Sequence, residues 1–134
     1  MIRVYVDAVA DLFHVGHIRF FRNARAIADD GGNVELVVGV HSDKTTEGYK
    51  RKPVIDQQQR YEVVRACRYV DEVIEDAPLI VTPGYLLEHR IDVVVRSNDI
   101  QPDNPQIVQV SDKLQWVPYT KGVSTTEILE RIRS

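Results

Sequence analysis

At 134 residues, 43% hydrophobic and 28% charged, the chain is long enough for one domain with a real core and has the balance of an ordinary globular protein. A net charge of −3, with no face saturated in Lys and Arg, argues against nucleic-acid partners. There is no apolar run of about eighteen residues, so no membrane span is expected. The first residues read as a strand, so no signal peptide is expected. A lone Cys67 suits a reducing compartment, so the expected location is cytoplasmic. The expected organisation is a single domain, 1–134, or that domain cut from a longer bifunctional chain.

Ile2 to Val6 reads as a strand. Asp7 to His17 then runs into a helix whose apolar positions Phe20, Ala24 and Ile27 fall at helical spacing, until Asp29 to Asn33 stop it. Val34 to Val40 is a near-continuous apolar run, the pattern of a strand covered on both faces. His41 to Pro53 is polar and cation-rich and reads as a loop. Asp56, with Gln59 three residues on, opens a second helix with Tyr61, Val64 and Cys67 inward. Val70–Ile74 is a third strand, and Thr82-Pro83 caps and starts a short helix. Ile91–Val95 is a fourth strand, followed by Arg96 to Asp99, and 101–113 has no clear pattern. Gln115–Val117 is a fifth strand, and Ser124 with Glu127 heads a last helix with Ile128, Leu129 and Ile132 inward. Alternating strands and helices imply an α/β, Rossmann-like three-layer sandwich around a five-stranded parallel sheet.

In that architecture ligands sit beyond the carboxyl ends of the strands, where the strand order reverses. Four polar segments each follow a strand: the His14/His17 pair, the basic loop, Arg96 to Asp99, and Tyr119 to Thr126. The topology therefore gathers them at one edge. Two His with Gly16 between them, at a strand-to-helix junction, suit an anion: the helix start offers free N–H groups, and imidazoles donate to phosphate oxygens. On spacing alone such a pair is more often incidental; its context favours phosphate. Lys44, Lys50, Arg51 and Lys52 suggest a polyphosphate clamp, weighed against a merely solvated basic loop. Ser124 and Thr125 offer hydroxyls and N–H groups to the same anion. Arg60 is placed on the exposed side of the second helix. Four His and one Cys argue against a dedicated metal site by ligand number, and nothing suggests a covalent nucleophile.

His14-Val15-Gly16-His17 resembles the H-x-G-H signature of the nucleotidyltransferase superfamily. Arg3 to Asp7, Asp11 to His14, Arg60 to Val64, Cys67 to Val73 and Gly122 to Ile128 narrow the resemblance to cytidylyltransferases of the ethanolamine-phosphate, choline-phosphate and glycerol-3-phosphate type, across nearly the whole chain. The resemblance implies transfer of CMP from CTP to a small phosphorylated alcohol or a small phosphonate such as 2-hydroxyethylphosphonate. Pyrophosphate leaves by in-line attack, and Mg²⁺ accompanies CTP. It makes His14, His17 and Lys50 catalytic. Val9, Ala10, Gly16, Arg96, Asp99, Tyr119, Gly122, Ser124 and Thr125 would hold the nucleotide, and Asp11, Lys44 and Arg60 the acceptor. It also implies a homodimer through Arg68–Asp71.

Four departures stand out. Ala8 replaces a Gly, Ala10 a larger residue, Arg96-Ser97 a His-Gly pair, and Tyr119 the arginine opening the terminal motif. The expectation is that Arg96 supplies the cation that Tyr119 lacks. The competing readings are a catalytically weak CTP-binding regulatory module and an adenylyltransferase of the same superfamily.

Overall fold

The computed structural model describes residues 1–29, 32–119 and 124–134. Strands β1 (Ile2–Ala8), β2 (Val34–Val40), β3 (Glu72–Glu75), β4 (Val93–Ser97) and β5 (Leu114–Val117) form one sheet in the order β3-β2-β1-β4-β5. All four pairings are parallel, and the longest register runs from Ile2↔Val34 to Ala8↔Val40. Helices α1 (Val15–Ala28), α2 (Asp43–Tyr49), α3 (Gln57–Arg65), α4 (Pro83–Glu88) and α5 (Thr125–Arg133) join the strands, with a 3-10 segment at Val108–Lys113. The chain winds outward from β1 in one direction and from β4 in the other, so the strand order reverses between these two neighbours.

Alternation along the central strands divides the core in two. Val4 and Val6 join Leu36 and Val38 against Phe21 and Ala24 of α1 and Tyr61 and Val64 of α3. Tyr5 and Val37 face the other way, with Leu86 of α4, Ile107 and Val110. Gly39 is required by this second layer: a Cβ there would overlap the Tyr5 hydroxyl and press on Ala77. That hydroxyl accepts a bond from Tyr85 Oη at 3.1 Å.

Several expectations need correction. The stretch after β2 contains a helix, α2, where composition suggested a loop; Ser42 caps it by accepting from Thr45 N–H at 3.1 Å, and its own Thr46 is buried. β3 and β4 each begin two residues later than the apolar runs suggest, because pairing with β2 and β1 sets their limits. Arg96 and Ser97 consequently lie inside β4 rather than beyond it. The buried face of α1 is Phe21, Ala24 and Ala28, while Ile27 is exposed. No residue of α5 is fully buried, and Ile132 is 70% exposed where an inward position was expected.

Arg60 is the largest correction: it is 1% exposed, not on an outer face. Its Nε donates to Ile55 O at 2.9 Å, and Nη1 donates to Val9 O at 2.7 Å and His41 O at 2.8 Å. Nη2 donates to Asp43 Oδ1 at 2.7 Å. One guanidinium thus satisfies carbonyls just past β1 and β2 and ties α3 to the start of α2, which suits its rigid fork of donors. Arg60→Met leaves those acceptors buried and unpaired, so it should cost about 3–5 kcal/mol in urea unfolding. A loss below about 1 kcal/mol, the size of a single ordinary hydrogen bond, would contradict this assignment.

Candidate active site

A cavity of about 580 Å³ lies over the carboxyl ends of β1, β4 and β5, where the strand order reverses. It is walled by the turn after β1, the start of α1, the end of α2 and the start of α5. The turn is unusual backbone: Ala10 (φ 57°) and Leu12 (φ 49°) are both left-handed. A non-glycine residue there costs about 1 kcal/mol or more and needs its surroundings to hold it. Asp11 supplies that hold. Its carboxylate accepts from Val54 N–H and Ile55 N–H, each at 2.9 Å, and from Arg51 Nη1 at 3.0 Å. Burial pushes its pKa up, but the two amides and Arg51 outweigh that and leave it below the ordinary value. Asp11 is therefore committed to the loop, although it also lines the cavity.

His14 is the N-cap of α1, and Gly16 N–H donates to its Nδ1 at 3.0 Å. His14 N–H donates in turn to Nδ1 of His17, also at 3.0 Å. An Nδ1 that accepts a backbone N–H carries no proton, so each neutral ring keeps its hydrogen on Nε2. Both rings line the cavity, with centroids 3.9 Å apart. Burial lowers the His14 pKa, opposed by Glu127. Burial, then His14, draws His17 down to about 3. The helix start thus presents two neutral N–H donors, next to its own positive end.

Lys50 follows α2 and lines the same cavity; desolvation and then Arg51 draw its pKa down, with Asp99 opposing. Ser124 caps α5 by accepting from Glu127 N–H at 3.1 Å, which leaves its own hydroxyl hydrogen free to donate. Thr125 Oγ1 donates to Asp11 O at 2.8 Å and pins α5 to the β1 turn. Val9, Ala10, Gly16, Asp99 and Tyr119 also line the space.

Residues 9, 10, 11, 14, 16, 17, 50, 99, 119, 124 and 125, far apart in sequence, are therefore brought together. Three others are not. Lys44 is exposed on α2 and is not among the lining residues. Arg60 lies beneath the edge, fully engaged. Arg96, 4% exposed, grips Asp7 instead of facing the space Tyr119 borders. The expected cation clamp shrinks accordingly, because Arg51 is paired with Asp11. Gly122 lies outside the described residues. Asp7, Thr46 and Ser97 also line the space, and His41 stands beside Asp7; the sequence reading placed their segments at this edge without singling these residues out. Position at strand ends was the available signal for Asp7 and Ser97; Thr46 carried none.

A family model described as Cytidylyltransferase-like matches residues 5–131. The chain belongs to the cytidylyltransferase-like family. It is 41% identical over 136 aligned residues to an ethanolamine-phosphate cytidylyltransferase of Dictyostelium discoideum, covering 98% of this chain and 36% of that protein. It is 38% identical to choline-phosphate cytidylyltransferase A of Mus musculus, with coverage of 98% and 36%. With a choline-phosphate cytidylyltransferase of Saccharomyces cerevisiae the figures are 40% identity and coverage of 98% and 31%. The chain thus spans about a third of the length of these cytidylyltransferases. The crystal structure of a lipopolysaccharide core biosynthesis protein from Thermoplasma volcanium shares the fold, with a TM-score of 0.71 and 24% identity over 92% of this chain and 99% of that one. Among the described residues of this cytidylyltransferase-like chain, no helix is long and apolar enough to cross a membrane.

The depressed His17 pKa has a consequence for stability. The unfolded chain binds a proton at this ring below about 6.5, while the folded ring stays neutral to about 3. His17 therefore favours folding above pH 6.5, and that contribution drains away as pH falls toward 3. Thermal unfolding across this range should show a shallower acid decline in His17→Asn than in the unaltered chain. Equal slopes would show that the ring is not held neutral.

Proposed function

We propose that this chain transfers CMP from CTP to a small phosphorylated alcohol or a small phosphonate, releasing pyrophosphate by direct in-line attack. The observation that carries the reading is the pair of neutral Nε2–H donors at the start of α1, in one cavity with Lys50, Ser124 and Thr125. Such donors are preorganised for the charge that builds on the α-phosphate as the acceptor oxygen enters and pyrophosphate leaves. They carry no positive charge themselves, so they need not repel Lys50. Lys50 is placed to hold two anions together as they react, which is the costly part of joining two phosphates. Ser124, Thr125 and the start of α5 would take the distal phosphates.

Cytosine selection is carried over from the relatives named for ethanolamine phosphate and choline phosphate; 2-hydroxyethylphosphonate belongs to the same range of small acceptors. Mg²⁺ would arrive with CTP. Among the described residues there is no group of three or more His, Cys, Asp or Glu placed to hold a metal, and two of the three lining carboxylates are ion-paired. The ion would accordingly rest on phosphate oxygens and water, as Mg²⁺ commonly does. The reading includes a homodimer through 68–71. There Arg68 is exposed, while Asp71 is engaged by Arg25 and accepts from Leu36 N–H at 2.8 Å.

Pyrophosphate release tests the proposal, with CTP or ATP offered to phosphoethanolamine, phosphocholine, glycerol 3-phosphate and 2-hydroxyethylphosphonate. Release with CTP and at least one acceptor is expected. His17→Asn should lower kcat by about 10²- to 10³-fold, the usual cost of one oxyanion donor. Tight CTP binding without release would favour a regulatory module, and release with ATP alone an adenylyltransferase. Light scattering on the same sample should give twice the mass of the chain.

A further inference from the structure

Asp7 is a carboxylate that an anion site should not tolerate unless its charge is answered. It is the penultimate residue of β1, lines the cavity, and would set a carboxylate against incoming phosphates. Arg96 answers it from β4. Asp7 and Arg96 each lie two residues beyond the paired Tyr5 and Val94, so they share a face of the sheet across the point where strand order reverses. Arg96 Nη2 donates to Asp7 Oδ2 at 2.8 Å, and Nη1 pairs with Oδ1. This is the two-pronged geometry in which arginine meets carboxylate most strongly. The side chains are only 4% and 3% exposed, so water screens the pair little.

Among the described residues, only Arg96 and His41 come within ion-pair distance of Asp7. His41 Nε2 stands 3.6 Å from Asp7 Oδ2, too far for a hydrogen bond, and burial keeps that ring neutral, with its pKa drawn down to about 4. His41 Nδ1 is tied to the Tyr49 hydroxyl at 2.8 Å instead. Arg51 belongs to Asp11 and Arg60 to Asp43. Among the described residues Arg96 Nε has no hydrogen-bond partner, and the guanidinium meets Asp7 through its two terminal nitrogens.

We propose that Arg96 is a positioning residue that acts through Asp7: it neutralises and fixes the carboxylate under the cavity, so that a nucleoside triphosphate can settle above a floor with no net charge. This rests on the cavity being the CTP site argued above. It differs from direct phosphate contact by Arg96, and the two ideas separate cleanly. If Arg96 touches phosphate, its loss is permanent. If it acts through Asp7, removing both charges together restores binding.

The experiment measures affinity for CTP, CMP and cytidine by calorimetry in the full chain and in Asp7→Asn, Arg96→Met and the double variant, with thermal unfolding of each. Arg96→Met should weaken CTP on the order of tenfold or more, since like charges placed together cost several kcal/mol. The penalty should shrink from CTP to CMP and vanish for cytidine, a grading that a general loss of structure would not give. The double variant buries no unpaired charge. It should fold, melt above Arg96→Met, and bind CTP within about threefold of Asp7→Asn. A double variant that fails to fold, or binds CTP as poorly as Arg96→Met, would overturn the proposal. If the unaltered chain does not bind CTP at all, the proposed function fails instead. The Asp7–Arg96 charge coupling would still be read from the melting cycle.

Discussion

The site depends on how the first turn of α1 is closed. A helix start leaves backbone N–H groups without partners, and most helices satisfy them with Ser, Thr, Asp or Asn. Here two imidazole nitrogens do it: Nδ1 of His14 takes Gly16 N–H, and Nδ1 of His17 takes His14 N–H. The same bonds that close the helix choose the tautomer of both rings and leave Nε2–H on each as a free donor. Local folding and chemistry are therefore one arrangement. A Ser cap would close the helix start without bringing an imidazole donor to the cavity.

Around that turn, charge is arranged to keep an acidic chain receptive to an anion. Among the described residues three carboxylates line the cavity: Asp7, Asp11 and Asp99. Asp7 is held by Arg96 and Asp11 by Arg51 together with two amides. Asp99 receives a hydroxyl bond from Ser97 and faces Lys50 electrostatically. Arginine does the neutralising and lysine is left for the ligand, which fits the rigid fork of one and the mobile point charge of the other. The strain at Ala10 and Leu12 is supported by the same Asp11 network, so the loop that binds is also the loop that is pinned.

Features governed by near neighbours in sequence were legible before the structure. Ser124, Asp56 and Thr82 all cap helices as their spacing suggested; β2 lies where its apolar run put it, and β1 begins as expected and runs two residues past Val6. The gathering of His17, Lys50 and Ser124 in one cavity followed from parallel topology alone. Features decided by distant partners were not legible. Arg60 looks like a surface cation in sequence and Arg96 like a nucleotide-site cation, yet all but one of their acceptors are 17 to 89 residues away. α2 was hidden because Ser42 begins a polar stretch, and a single buried Thr46 is too faint a hydrophobic signal to mark a face. α5 shows the opposite failure: its amphipathic pattern is real, but this chain leaves Ile132 open.

The central claim is that His14 and His17 are neutral, Nε2-protonated donors aimed at phosphate. Long-range ¹H–¹⁵N spectra of the imidazole rings test it most directly, recorded near neutral pH with and without CTP. The expected result is two rings of that tautomer before CTP is added, with Nε2–H shifting on binding while Nδ1 stays unprotonated. Imidazolium rings, a proton on Nδ1, or rings indifferent to CTP would contradict the account.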